Sequence, residues 1–339
     1  MRILIKLFKI LPGALTLIFI FSVLITNSAM AESIIANAAQ GIEISPALVE
    51  LNAAKGNTYN IVLNIKNITA STLSYTSSTD DFAAADESGS PKIVLDGQLP
   101  TTASVKTWVN MDAGFTLQPR QTKTITASIL VPADAEPGGH YGILRFSGVA
   151  STMEDSGVSL STSAGVLVLI RVAGDITEKA SLTSFYSAQN DKQSWFFENG
   201  PIDFVTRIQN EGNVHVKPAG NIEVRDVFNN LVSMVPVNEE KSNILPNSIR
   251  KFSGQFGQNW LFGHYTASLA LGYGTTGQAI TATTSFWVIP YKLILVGLFA
   301  LATIIFVLVR LIKVYNGYII KKAKNEEDNK NKNEPDQKS

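Results

Sequence analysis

The sequence predicts an all-β protein: two tandem immunoglobulin-like β-sandwiches followed by a single transmembrane α-helix. Three observations support this prediction. Short stretches of alternating apolar and polar residues fill most of the chain between residues 32 and 290, as in strands with one solvated face. One order of strand and turn motifs occurs twice. An uncharged apolar stretch then precedes a basic segment near the C-terminus, which is typical of a membrane anchor.

The N-terminus has the features of a secretory signal peptide. Three basic residues within the first nine precede an apolar stretch at 11–25, and Ala-Met-Ala follows at 29–31. The apolar stretch is short for a membrane span, and it ends in small residues of the kind that a signal peptidase recognises. We expect a signal peptide over residues 1–31; an uncleaved N-terminal anchor is the alternative.

Alternation defines several strands of the two sandwiches. The residues expected to face inward are Tyr59, Ile61, Leu63 and Ile65 in one strand, Ile125, Ala127, Ile129 and Val131 in another, and Tyr265, Ala267, Leu269, Leu271 and Tyr273 in a third. Residues 164–172 are apolar nearly throughout, which predicts a central strand. No amphipathic helix of 12 or more residues is predicted between 32 and 290, and many short strands with polar turns favour sandwiches.

An internal repeat divides this region into two domains. In each half, a strand with an Asn-rich turn leads to a Leu-Pro or Leu-x-Pro turn before a second strand, and then to Gly-His-Tyr before a third. Two similar sandwiches in tandem explain this order. We expect the first Ig-like sandwich over residues 32–174 and the second over residues 175–290.

The two Gly-His-Tyr triplets, at 139–141 and 263–265, raise the question of a metal or catalytic site. The preceding glycines indicate tight turns with positive φ. We expect each tyrosine to begin the inward-facing series of its strand and each histidine to face solvent. Equivalent positions in two separate domains would keep His140 and His264 far apart, so the triplet is interpreted as turn architecture used twice.

A transmembrane helix is predicted at residues 291–312. Its apolar core, 293–309, carries no charge, and with its flanks it reaches the length of about 20 residues that crosses a bilayer. Trp287 and Tyr291 lie where interfacial aromatic residues belong. The basic residues that follow are Arg310, Lys313, Lys321, Lys322 and Lys324. They predict a single-pass protein of the cell membrane, with its N-terminal ectodomain outside and a disordered cytoplasmic tail at 313–339.

Charge and composition exclude several functions. Residues 32–290 carry 16 lysines and arginines against 23 aspartates and glutamates, a net charge of −7, so we expect no nucleic-acid partner. The chain contains no cysteine, which excludes disulfides, thiolate chemistry and Cys-ligated zinc. An exported protein of this kind must be held together by its apolar core.

Two stretches contain residue types found in known binding-site motifs but lack the context or spacing that binding requires. Gly272, Gly274 and Gly277 have the dinucleotide-binding spacing, but a strand-like segment follows instead of the helix that would hold a pyrophosphate. A hairpin turn is therefore expected, with no nucleotide. The acidic stretch 80–90 lacks the spacing of a calcium loop and is interpreted as a solvated loop.

No catalytic, cofactor-binding or metal-binding residues are predicted, and the binding residues stay open. The three histidines are scattered, and alternation predicts that His215 is exposed on a strand. Five aromatic residues in irregular stretches could stack on sugars or anchor a partner, or could pack in the core or between domains: Phe82, Trp108, Trp195, Phe196 and Phe197.

The order of these features resembles the WxL-interacting proteins of Gram-positive cell surfaces. The resemblance rests on three stretches, 44–69, 115–146 and 244–271, and on the helix with its basic tail. It implies a first domain that binds peptidoglycan and a second that binds a protein ligand, including host surface proteins. It also implies association with partners that bear Trp-x-Leu motifs. No site residue is carried over from the family.

Three functions are weighed. The first is a membrane-anchored surface binding and scaffold protein, an adhesin-like component of the cell wall without enzymatic activity. The second is a membrane-anchored sandwich chaperone for surface proteins, for which an exposed, alternating edge strand at an inter-domain cleft would argue. The third is a sugar-active enzyme, which requires two carboxylates about 5 to 10 Å apart in an open groove.

Overall fold

The computed structural model describes residues 41–94, 103–150, 162–257 and 260–332. The predicted signal peptide lies outside the described residues. The fold prediction is confirmed: strands in four sheets form two sandwiches, and one long helix follows them.

The first sandwich is built from ten strands. They are β1 (Ile42–Ser45), β2 (Leu48–Ala53), β3 (Thr58–Asn67), β4 (Leu73–Ala84), β5 (Pro91–Val94), β6 (Val109–Asn110), β7 (Gly114–Leu117), β8 (Thr122–Leu130), β9 (Gly138–Ala150) and β10 (Thr162–Val172). One sheet has the order β1-β3-β8-β6, and the other has the order β2-β10-β9-β4-β5 with β7 also pairing with β4. A short 3-10 helix, Val105–Thr107, precedes β6.

The second sandwich follows the same plan. Its strands are β11 (Ala180–Gln189), β12 (Lys192–Gln193), β13 (Phe196–Phe197), β14 (Ile202–Asn210), β15 (Ala219–Asp226), β16 (Leu231–Val237), β17 (Ile249–Phe256), β18 (Gly263–Tyr273) and β19 (Gln278–Val288). The sheets have the orders β12-β11-β14-β17 and β13-β19-β18-β15-β16.

Each sandwich has its own apolar core, and the predicted inward faces supply much of it. Ile61, Leu63 and Ile65 of β3 are buried, as are the alternate residues of β8 and of β18. Strand β10 lies between β2 and β9, the central position that its apolar sequence predicts. Alternation therefore gives the correct side-chain orientation in these strands, because one face of each sheet is buried and the other is solvated.

A buried asparagine confirms the internal repeat in atomic detail. Asn67 ends β3 and Asn210 ends β14, and both are fully buried. Each side-chain amide donates to the carbonyl four residues on, at 2.8 Å, and each side-chain oxygen accepts from the backbone N–H two residues on, at 2.9 Å. Each amide also donates across the sandwich, to the carbonyl of Leu117 or of Ile244. We name these two arrangements the asparagine corners.

The helix, α1 (Tyr291–Lys332), begins two residues after β19. Its segment Tyr291–Glu326 is long and apolar enough to cross a membrane, with a mean hydropathy of 2.7 over its most apolar window. The sequence predicts disorder from residue 313, whereas α1 continues to Lys332. Lysine, a good helix former, is the commonest residue of the tail, and extending an existing helix avoids the cost of nucleation.

Candidate functional site

Strand β2 lies at an edge of the first sandwich and contacts the second sandwich through Glu50. It is the terminal strand of its sheet and pairs in parallel with β10; no other described strand pairs with it. The backbone N–H groups of Leu167 and Ala173 donate to the carbonyls of Ala47 and Ala53. Because alternate residues of a parallel strand bond the same neighbour, Leu48, Glu50 and Asn52 direct their backbone groups to the free edge.

The side chains of β2 alternate along this edge. Leu48, Glu50 and Asn52 are exposed, Val49 and Leu51 are half-buried, and the strand ends at the buried Ala53. Alternation with a free backbone edge is the arrangement by which a sheet accepts an additional strand.

A cleft of about 410 Å³ lies beside this edge, lined by Glu50, Leu51 and Asn52 of β2 and by residues of the second sandwich. Glu50 forms an ion pair with Lys217 at 2.5 Å and accepts a hydrogen bond from the Asn243 amide at 2.7 Å. Burial raises the pKa of the Glu50 carboxyl, but the hydrogen bonds from Lys217 and Asn243 outweigh this effect and leave the pKa below its ordinary value. Glu50 is thus charged at neutral pH and bridges the two sandwiches.

Glu178 also lines the cleft, and it bonds residues of both sandwiches. Its carboxylate pairs with Arg171 at 2.6 Å and accepts from the backbone N–H and hydroxyl of Thr275 at 2.6 and 2.8 Å. Burial raises the pKa of Glu178, and the donors of Thr275 and Arg171 lower it further than burial raises it. The carboxylate therefore stays ionised and joins β10 to the turn between β18 and β19.

That turn contains two of the three glycines with dinucleotide-binding spacing, and the third, Gly272, lies in β18. Gly274 and Gly277 have φ values of 71° and 68°, and β19 follows the turn directly. The predicted hairpin is confirmed. The backbone amide in this turn holds the carboxylate of the protein's own Glu178.

His215 is not the exposed strand residue that alternation predicts. It is half-buried, and its ring lies 5.8 Å from the ring of Tyr141 in an edge-to-face arrangement, with 3.4 Å between the tyrosine oxygen and Nδ1. Burial lowers the pKa of His215 to about 4, and the positive charge of Lys217 opposes the favourable effect of Glu50. Burial also raises the pKa of the Tyr141 phenol. The sequence prediction fails because His215 lies in the segment between β14 and β15 rather than on a strand, and because Tyr141 of the first sandwich packs against its ring.

The acidic stretch 80–90 forms the β4–β5 hairpin and also contacts the second sandwich. Glu87 pairs with Arg207 at 2.6 Å, and its carbonyl accepts from the backbone N–H of Lys251 at 2.8 Å. No group of acidic or histidine side chains that could hold a metal ion is found among the described residues. The stretch is therefore only partly the solvated loop that its composition predicts.

The two Gly-His-Tyr triplets do not come together, and they differ in orientation. Gly138 and Gly263 have φ values of 129° and 122°, as the turn prediction requires. Tyr265 is buried and His264 half-buried, as expected. In β9 the expectation is wrong, because His140 is buried and Tyr141 faces the second sandwich. The rings of His140 and Trp108 pack 4.6 Å apart, and Nδ1 and Nε2 of the histidine lie 3.0 and 2.8 Å from the carbonyl oxygens of Ala103 and Glu136, to either of which a ring N–H can donate.

The five candidate aromatic residues separate into two groups. Phe82, Trp108 and Phe197 are buried, which agrees with the core alternative. Trp195 and Phe196 are exposed near the start of α1. Within the described part of the first sandwich, none of the large exposed apolar side chains is aromatic.

No family model and no curated protein matches the sequence. The chain is similar in structure to the YadV chaperone, with 10% sequence identity and a TM-score of 0.36 over 73% of this chain and all of that one. It is similar to the E. coli chaperone DraB, at 12% identity and a TM-score of 0.36 over 71% of this chain and 96% of that one. It is also similar to the CupB2 chaperone of Pseudomonas aeruginosa, at 10% identity and a TM-score of 0.34 over 72% of this chain and 100% of that one. At such low identities and TM-scores, these likenesses carry no information on what the chain binds.

Proposed function

We propose that this protein is a membrane-anchored binding protein that takes up an extended segment of another surface protein by strand addition at β2. The observation that carries the proposal is the free, alternating edge of β2 beside the inter-domain cleft. An incoming strand would satisfy the outward backbone groups of β2, which supplies affinity, while alternate side-chain positions supply specificity. This is the assembly-factor alternative of the sequence analysis.

Membrane anchoring by α1 with the sandwiches outside is part of the proposal, supported by the length and apolarity of Tyr291–Glu326 and by the basic residues that follow. Peptidoglycan binding by the first sandwich has no such support, since its described residues offer no exposed aromatic ring for a sugar. Membership of the WxL-interacting proteins stays a prediction.

The experiment removes one backbone donor from the free edge. A photo-crosslinking residue at Leu48, which is exposed on β2 itself, would report ligands in cells that produce the full chain. Asn52→Pro deletes an outward N–H without disturbing the bonds from β2 to β10, since proline is tolerated on free edges. Asn52→Ala is the matched control, because it keeps the N–H.

If the partner binds by strand addition, the Asn52→Ala variant should crosslink to a protein and the Asn52→Pro variant should not. Mass spectrometry would identify the crosslinked peptide of the partner. Equal crosslinking in both variants would overturn the proposal. Co-sedimentation of the full chain with isolated cell-wall sacculi, unaffected by either variant, would instead favour the peptidoglycan alternative.

A further inference from the structure

The end of the second sandwich next to α1 carries most of the exposed aromatic side chains of the described sandwich residues. Phe228 and Trp260 are each 81% exposed, Phe262 is 70% exposed and Trp195 is 69% exposed. Soluble proteins rarely display large apolar side chains in groups, and such groups mark surfaces of interaction.

Strand register places these side chains at one end of the sandwich. Gly263 at the start of β18 pairs with Val288 at the end of β19, so the loop before β18, with Trp260 and Phe262, lies where β19 leads into the helix. Asp226 at the end of β15 pairs with Tyr265 near the same end of β18. The turn that follows Asp226, with Phe228 at its tip, therefore belongs to this end as well.

Strand β13 completes the group. Phe196 pairs with Trp287, and the backbone N–H of Trp287 donates to the carbonyl of Trp195 at 2.8 Å. The rings of Phe196 and Tyr291 lie 6.3 Å apart, so the group is continuous with the first residue of α1. We name Trp195, Phe196, Phe228, Trp260, Phe262 and Trp287 the aromatic rim.

Several charged groups at the rim are already engaged within the protein. Glu198 pairs with Lys292 at 2.6 Å, and Asp226 accepts from the backbone N–H groups of Phe228 and Asn230 at 2.9 Å. Among the described residues, the rim thus offers mainly aromatic rings, three of them tryptophans with a polar N–H, rather than a row of cations for anionic lipid. Tryptophan and tyrosine rings of this kind concentrate at the level of lipid headgroups.

We infer that the aromatic rim inserts into the headgroup region of the bilayer that α1 crosses, so that the second sandwich rests on the membrane. The inference depends on the membrane placement of α1 in the proposed function. The lipid surface is the occupant because only Ile289 and Pro290 separate β19 from α1. A helix that enters the bilayer at Tyr291 keeps the rim close to the headgroups, and insertion of the rings then holds this end of the sandwich on the surface.

The experiment uses the absence of cysteine from the chain, since any introduced cysteine is unique. Single variants of the full chain receive a nitroxide label and are reconstituted in phosphatidylcholine nanodiscs. Phe262→Cys tests the rim, Leu295→Cys tests α1, and Thr276→Cys tests the opposite end of β18. Collision with oxygen, which dissolves in lipid, and with a water-soluble nickel complex gives the depth of each label.

The expected result is a label at 295 in hydrocarbon, a label at 262 shielded from nickel at headgroup depth, and a label at 276 fully accessible to nickel. An aqueous label at 262 beside a lipid-embedded label at 295 overturns the inference and leaves the anchoring of α1 intact. Aqueous labels at both positions contradict the anchoring itself. A label at 262 shielded from both reagents points to a protein partner and also overturns the inference.

A second variant tests cooperation within the rim. In Trp260→Ser/Phe262→Ser, a label at Phe228→Cys should lose its lipid contact, because the rim is held at the surface by several rings together. Val62→Ser, an exposed apolar residue of β3, is the matched control and should leave the label at 228 unchanged. Unchanged depth in both variants would contradict insertion of the rim.

Discussion

The two Gly-His-Tyr triplets have the same letters and opposite orientations. In β9 the histidine is buried and the tyrosine faces the other sandwich; in β18 the tyrosine is buried and the histidine ring packs on Trp287 at 4.8 Å. A shift of one residue between a motif and its sheet exchanges the two faces of a strand. The triplet therefore specifies a turn into a strand and does not specify which side chain enters the core.

The asparagine corners behave in the opposite way. Their hydrogen bonds match at each equivalent position, although the segments between them differ in sequence. A side chain that satisfies backbone groups at fixed offsets tolerates no change in geometry, whereas a histidine can be accommodated on either face of a strand. The two sandwiches therefore share the same geometry where a side chain satisfies buried backbone groups, and they differ where it does not.

The largest expected loss of stability comes from replacing the asparagine of either corner. Asn67→Ala and Asn210→Ala should each lower the free energy of unfolding of their own sandwich by about 3 to 4 kcal/mol, since buried backbone groups lose their partners. Asn64→Ala, which removes a single exposed bond to Thr124, should cost less than about 1 kcal/mol. Hydrogen exchange in increasing urea reports each sandwich separately. A large effect at only one corner would show that the corners are not equivalent.

The triplets should respond unequally. His140→Ala removes the ring N–H that donates to a backbone carbonyl, at Ala103 or Glu136, and opens a cavity beside Trp108, so we expect a loss of about 2 to 3 kcal/mol in the first sandwich. His264→Ala should cost less than about 1 kcal/mol, because only a half-buried ring contact is lost. The same exchange measurement compares the two variants, and equal losses would contradict the assignment of opposite faces.

The smallest effect concerns pH at the boundary between the sandwiches. The folded pKa of His215, about 4, lies below the ordinary value of 6.5, so folding favours the neutral ring. The histidine costs no stability above pH 6.5, and stability is lost as the pH falls toward 4, with a loss of at most about 2 kcal/mol at pH 5. The groups facing the ring are Tyr141, Glu50, Lys217, Arg171 and Glu178.

His215→Gln should consequently lose less stability than the parent protein between pH 7.5 and pH 5. Acid protonates the carboxylates of Glu50 and Glu178 in both proteins and weakens their ion pairs equally. The difference in pH dependence between the variant and the parent therefore reports the histidine alone. Thermal unfolding of the full chain in detergent at the two pH values measures it, with His264→Gln as the control. An identical pH dependence in His215→Gln and the parent would rule out a buried neutral histidine.

Much of the fold follows from local pattern, and the boundary between the sandwiches does not. The orientations of β3, β8 and β18 are predicted because each strand has one face in its own core. The orientation of β9 is not predicted correctly. Tyr141 faces away from the core of its own sandwich and contacts His215, which lies 74 residues further along the chain. The Glu50–Lys217 pair spans 167 residues, and no local signal in the sequence connects its members.

The aromatic rim was partly visible in the sequence. Trp195 and Phe196 stand out because they lie in an irregular stretch, and Trp287 because it precedes the apolar helix. Phe228, Trp260 and Phe262 lie in polar turns at distant positions, and only strand register brings them to one end of the sandwich. The signal that could have found them is a large aromatic ring in a segment too polar to belong to a core.

The two-residue junction at Ile289 and Pro290 has a mechanical consequence. A helix of 42 residues is about 63 Å long at 1.5 Å per residue, roughly twice the thickness of the hydrocarbon. With α1 placed in the membrane as proposed, about half of the helix would extend beyond the hydrocarbon. The short junction would then limit how far the sandwich can move away from the surface without tilting the helix.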